Sequence, residues 1–178
     1  MSKKKGDFSA ISALKGATAY AFELNSLNYK KLLSPTAKIN SDLSGKIILI
    51  KKGLSDGKKV ILSDEAERIS TGTSLTGKDI IENENNRKEE IELTTIDDFV
   101  HENNLSSIDF IKADIEGAER LMLKGAKNTL KDFGPKLAIC TYHLPGDPEV
   151  LESLIHEANS KYVVEHKYKK LYAYIPKD

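Results

Sequence analysis

Short apolar runs and helical stripes take turns along almost the whole of this 178-residue chain. That alternation constrains it to an α/β domain with a largely parallel sheet. The clearest repeat of the pattern is Ile108–Ala113, a strand with Asp114 at its carboxyl end. Behind it, Ala118, Leu121, Met122, Gly125, Thr129, Leu130 and Phe133 form the stripe of one helix, stopped by Gly134-Pro135. Phe8–Lys15 reads as a short helix ended by Gly16, and Thr18–Phe22 as a buried strand ending in Glu23. Ser26 is placed to cap a helix that Pro35 should break or restart. Lys46–Ile50 is a strand, Gly53–Gly57 a turn, and Val60–Leu62 and Glu92–Thr94 two further short strands. Thr95 caps a helix with Asp97 and Asp98 in its first turn. Leu137–Tyr142 is the next strand, Asp147-Pro148 opens a helix as cap and proline, and two closing strands around Tyr168–Lys170 make an antiparallel hairpin. The polar stretch 68–90 reads as a surface loop, and the whole chain 1–178 as one domain.

Composition excludes several classes of function. Lysine plus arginine and aspartate plus glutamate each total 27, so there is no overall electrostatic case for nucleic acid or an acidic membrane as partner. No run approaches the roughly 20 apolar residues of a membrane span. Met1–Asp7 lacks the apolar core of a signal peptide. Both points lead to a cytoplasmic expectation. Cys140, the single cysteine, lies inside an apolar run and reads as a buried core residue rather than a nucleophile.

Open parallel sheets bind ligands outside the carboxyl ends of their strands, so residues at those ends are the candidates. Glu23 has the carboxylate that a ribose diol pairs with, and is equally readable as a solvated acid at a loop start. Ser55 and Asp56 could meet an adenine edge or simply form a Ser-Asp-Gly turn. Asp114 and Glu116 flank a strand end and helix start. Paired carboxylates push their pKa values apart, leaving one as a base. Glu116 and Glu119 also suit the first turn of a helix for stability alone. His143 follows a strand and precedes a Pro145–Pro148 turn, a good position for general-base work. With Asp114 and Glu116 it could hold a divalent cation; spacing alone does not carry that, and no metal ligand is assigned. His101, His156 and His166 read as surface residues.

There is no Gly-Lys-Ser/Thr phosphate loop, no Gly-x-Gly-x-x-Gly, no Cys-x-x-Cys pair and no Gly-x-Ser-x-Gly elbow. Ile108–Glu119, with its Asp-x-Glu-Gly-x-Glu core, and Leu93–Phe99 before it are similar to the most characteristic segment of a known family, the FkbM methyltransferases. Gly6–Ser9 resembles the end of the glycine-rich cofactor loop, and Tyr20–Glu23 the second strand with its acid. Gly53–Asp56 and Thr141–His143 resemble the segments after the third and fifth strands.

The resemblance implies a Rossmann-like methyltransferase fold, S-adenosylmethionine as methyl donor, and a small-molecule or glycan acceptor, usually a hydroxyl of a sugar or natural product. By position it implies cofactor contacts at Gly6, Asp7, Glu23, Leu24, Ser55 and Asp56. Asp114, Glu116 and His143 would face the methyl group and the acceptor. The family's first strand, the centre of its sheet, has no counterpart before Lys5, so the chain is expected to be a truncated form. Two neighbouring strands then lose a partner. The competing reading is a non-catalytic α/β binding module, or a decayed relative acting through protein partners.

Overall fold

The computed structural model describes residues 7–42, 45–62 and 90–176; Gly6 and most of the polar stretch 68–90 lie outside them. The chain divides into two compact units, 1–53 and 54–178. In the first, α1 (Asp7–Leu14) leads into β1 (Thr18–Phe22), α2 (Ser26–Asp42) and β2 (Lys46–Ile50). The strands pair in parallel, Thr18 opposite Lys46 through Phe22 opposite Ile50, which makes this a β-α-β unit. Among the described residues β2 is the only strand beside β1. Residues 19–22 are accordingly half-buried rather than buried as their apolar run suggests.

Two expectations about α2 need correction. Asn25, not Ser26, caps it, accepting the Asn28 N–H at 2.9 Å. The helix also runs straight through Pro35. An internal proline costs about 3 kcal/mol. The half beyond it is held by tertiary contacts that offset this: Thr36 is buried. The Asn40 amide takes both backbone groups of Ile47, at 2.8 and 2.7 Å, as a neighbouring strand would.

The second unit opens with a small sheet of β3 (Gly53–Leu54), β5 (Glu90–Thr94) and β4 (Lys59–Leu62), in that order. β4 and β5 run antiparallel over a cluster of Ile61, Ile91 and Leu93. Glu90 thus belongs to a strand, not to the polar loop. Then follow α3 (Ile96–Glu102), β6 (Phe110–Ala113), α4 (Glu119–Lys124), α5 (Lys127–Asp132), β7 (Lys136–Cys140), α6 (Asp147–Ala158), β8 (Val163–Lys167) and β9 (Lys170–Tyr174). The four strands form a sheet in the order β6-β7-β9-β8. β6 and β7 are parallel; the closing hairpin β8-β9 docks antiparallel on β7. Its two-residue link places Tyr168 at φ 57°. The core lies between this sheet and its helices, with Leu130, Ile139, Leu151, Ile155 and Leu171 all at zero exposure. Strand β6 pairs only with β7 among the described residues.

The single helix expected over 118–133 is two. The reason is Asp97, which lies on α3. Its N–H takes the Gly125 carbonyl at 2.9 Å, and its carboxylate accepts the N–H groups of Asn128 and Thr129 and the Thr129 hydroxyl. Asp97 therefore caps α5 from another element, while Thr95 caps α3 as expected, accepting the Asp98 N–H at 2.8 Å. Gly125 sits where α4 passes the chain after β3: a Cβ there would lie 2.1 Å from the Ser55 carbonyl oxygen.

Candidate functional site

Strand β6 ends at Ala113, whose partner in the parallel register is Ile139 of β7, so Asp114 emerges beside Cys140. The chain then turns sharply. Glu116 and Gly117 both take positive φ, 56° and 101°. This turn brings the first residue of α4 back over it. Glu119, 1% exposed, accepts the Ile115 N–H on Oε1 at 2.8 Å and the Gly117 N–H on Oε2 at 2.9 Å. The acid that reads as a helix-start residue is the clamp of the strand-end loop.

From β7 the chain delivers Tyr142 and His143. The His143 side chain is 7% exposed and faces three carboxylates. Its Nε2 lies 3.7 Å from Asp114 Oδ1 and 3.4 Å from Glu116 Oε2, and its Nδ1 lies 3.1 Å from Glu119 Oε1. These are ion-pair distances; neither ring nitrogen makes a hydrogen bond of proper angle. The Tyr142 hydroxyl donates to Asp114 Oδ1 at 3.0 Å. Burial on its own raises the Asp114 carboxyl. Donation from Cys140 and Tyr142, and the charges of Lys112 and His143, outweigh it and hold Asp114 below the usual value. The same contacts act in reverse on the donors. Hydrogen bonding to Asp114 pushes the Tyr142 phenol up to about 12, and burial followed by Asp114 pushes the Cys140 thiol up to about 11. Cys140 is thus a protonated, buried thiol, as its apolar run suggests, and not a nucleophile.

The loop bearing His143 is itself tied down. Asp147, 1% exposed, accepts the Leu144 N–H at 2.8 Å and the Arg120 Nε–H at 2.8 Å; the Arg120 Nη2 reaches the Pro145 carbonyl. Asp147 is therefore not the cap of α6, a place taken by Gly146 at φ 72°. One charged hydrogen bond from Arg120 Nε–H to Asp147, with Nη2 of the same guanidinium on the Pro145 carbonyl, staples α4 to the 143–147 loop.

The remaining candidates are distributed as follows. Asp7 begins α1. Glu23 follows β1, partly exposed, its Oε1 accepting the Asn25 N–H at 3.0 Å, and Leu24 beside it is exposed. Ser55 is buried, its N–H on the Thr94 carbonyl and its hydroxyl donated to Asp56, whereas Asp56 is exposed. Of that pair, only the Asp56 side chain is presented outward. His156 and His166 both approach Glu152, at 3.7 and 2.8 Å.

The family model of the methyltransferase FkbM domain matches residues 5–168. This chain belongs to the FkbM methyltransferase family. A solved structure of methyltransferase FkbM from Methylobacillus flagellatus KT superimposes with a TM-score of 0.64 at 22% identity, over 88% of this chain and 36% of that one. At that identity the likeness is one of fold, and this FkbM chain spans about a third of the solved relative. No curated protein matches it. Glu119 and the Arg120–Asp147 staple are the working parts that sequence reasoning missed. Glu119 was visible as the last acid of the Asp-x-Glu-Gly-x-Glu segment. The staple joins residues 27 positions apart and left no local signal.

Proposed function

We propose that this chain is an S-adenosylmethionine-dependent methyltransferase domain that alkylates a hydroxyl of a small molecule or glycan, in the cytoplasm. The observation that carries the reading is the convergence of Asp114, Glu116 and His143 at the carboxyl ends of two adjacent parallel strands. The residues at the cofactor positions are of the right chemistry. Glu23 has a carboxylate for a ribose diol, Leu24 an apolar surface, and Asp56 an outward acceptor. Gly6 and Asp7 belong to the backbone that would meet the carboxypropyl end.

The cofactor, when bound, supplies a methyl group on a positive sulfur. Transfer of that methyl to the acceptor oxygen would break the sulfur–methyl bond, leave its electron pair on sulfur and give S-adenosylhomocysteine. The acceptor's proton leaves into the Asp114–Glu116–His143 cluster. Little bond-making is asked of the protein, so alignment contributes most of the rate. The clamp by Glu119 and the Arg120–Asp147 staple serve that alignment by fixing the two strand-end loops.

Calorimetric titration of the chain with S-adenosylhomocysteine tests the reading. Saturable binding that weakens by about 10-fold or more in Glu23→Ala supports it, since a bidentate charged contact is lost. A folded chain that binds nothing, or binds equally well without Glu23, overturns it.

A further inference from the structure

We propose that Asp114, Glu116 and His143 hold a divalent first-row transition metal ion, of which Mn²⁺ is the probe. One oxygen from each acid and one ring nitrogen lie within 4.8 Å of one another. Metal–ligand bonds of about 2.1 Å place neighbouring ligands roughly 3.0 to 3.4 Å apart, between octahedral and tetrahedral angles. The Nε2 separations of 3.4 Å from Glu116 and 3.7 Å from Asp114 are close to that spacing. A buried polar group is normally hydrogen-bonded. His143 is 93% buried by side chain yet has no hydrogen bond at either nitrogen. A cation at Nε2 gives it the missing partner.

The surroundings match what a metal-bound imidazole needs. A ligating histidine gives its other N–H to a carboxylate, and the one nearest Nδ1 is buried Glu119 Oε1, at an ion-pair distance of 3.1 Å without hydrogen-bond angle. That leaves the Nε2 lone pair toward Asp114 and Glu116. Glu116 is 79% exposed, so the site opens to solvent on one side and three protein ligands leave places for an incoming oxygen. An imidazole in the set favours a transition metal such as Fe²⁺ or Zn²⁺ over Mg²⁺ or Ca²⁺, and the two carboxylates also suit Mn²⁺. Within the proposed methyl transfer, on which this role rests, the cation would lower the pKa of an acceptor hydroxyl bound to it, whose proton would pass to a carboxylate oxygen of Asp114 or Glu116 that does not hold the metal, while His143 would serve as ligand and not as base.

The test is titration of the chelator-treated chain with MnCl₂, read by loss of the free-Mn²⁺ electron paramagnetic resonance signal, without cofactor or acceptor. One ion per chain is expected. Glu116→Gln and Asp114→Asn should each weaken binding by about 10-fold or more, with circular dichroism unchanged. Glu116 is exposed enough that its variant folds. Glu152→Gln, which removes the acid between His156 and His166, should leave binding as it was. No binding up to about millimolar Mn²⁺ overturns the proposal, as does binding lost only in Glu152→Gln. Binding of S-adenosylhomocysteine is measured separately, so failure of the metal site and failure of the methyltransferase reading are distinguishable.

Discussion

Replacing Glu119 by glutamine tests how the strand-end loop is held. The wild-type carboxylate accepts two backbone N–H groups, from Ile115 and Gly117, at a position with 1% exposure. Glutamine keeps one acceptor oxygen and turns an NH₂ toward the other donor. One buried N–H is orphaned, at about 1–3 kcal/mol, and the surviving bond loses its charge assistance, worth about 1 kcal/mol. Relief of a buried charge offsets part of this. The expected loss is about 2–3 kcal/mol in urea unfolding followed by circular dichroism. Glu119→Ala, which orphans both donors, should lose about 1 kcal/mol more. Glu116→Gln, at an exposed position, should stay within about 0.5 kcal/mol of the parent. Amide exchange at Ile115 and Gly117 should accelerate in Glu119→Gln. A variant as stable as the parent, with those amides still protected, would refute the clamp.

Arg120→Ala should cost about 3 kcal/mol, because it strands Asp147 in the interior, and Asp147→Asn less, because Arg120 retains some solvent; a double-mutant cycle on chemical denaturation checks both. Gly125→Ala forces a methyl to within 2.1 Å of the Ser55 carbonyl oxygen and should cost more than about 3 kcal/mol, read as a drop in melting temperature. Asp114→Asn should return the Tyr142 phenol from about 12 toward 10.0, seen as one earlier phenolate step in the difference ultraviolet titration. Asp114 is held below its ordinary 3.8, so its contribution to stability is complete above that value and is lost as pH falls through the lowered one. The acid limb of the unfolding profile should therefore flatten in Asp114→Asn.

The elements whose signals are local were legible from residue order. Strands β2, β6 and β7, the Thr95 cap and the hairpin at Tyr168 follow from apolar runs, a hydroxyl before a helix, and a short polar link. Residues Asp114, Glu116 and His143 were picked out by standing at strand ends, and the fold brings them together. The burial of Ser55 was not legible, because it comes from remote neighbours: the Thr94 carbonyl accepts its N–H and Gly125 packs against its carbonyl. The split of the 118–133 helix escaped because its cause, Asp97, lies some thirty residues upstream. Pro35 misled because propensity is a weak term beside tertiary packing.

By itself, the sequence determined the alternation of strand and helix, the family, and which acids and histidine end the strands. These depend on periodicity and on residue type, both of which are local properties of the chain. Tertiary structure alone decided what those groups do. It placed His143 among three carboxylates, made the helix-start acid Glu119 a clamp as well, and turned Asp147 from a cap into the buried partner of Arg120. The physical reason is that a carboxylate's role is set by which donors surround it and by how far water is excluded, and both are products of contacts between residues remote in sequence.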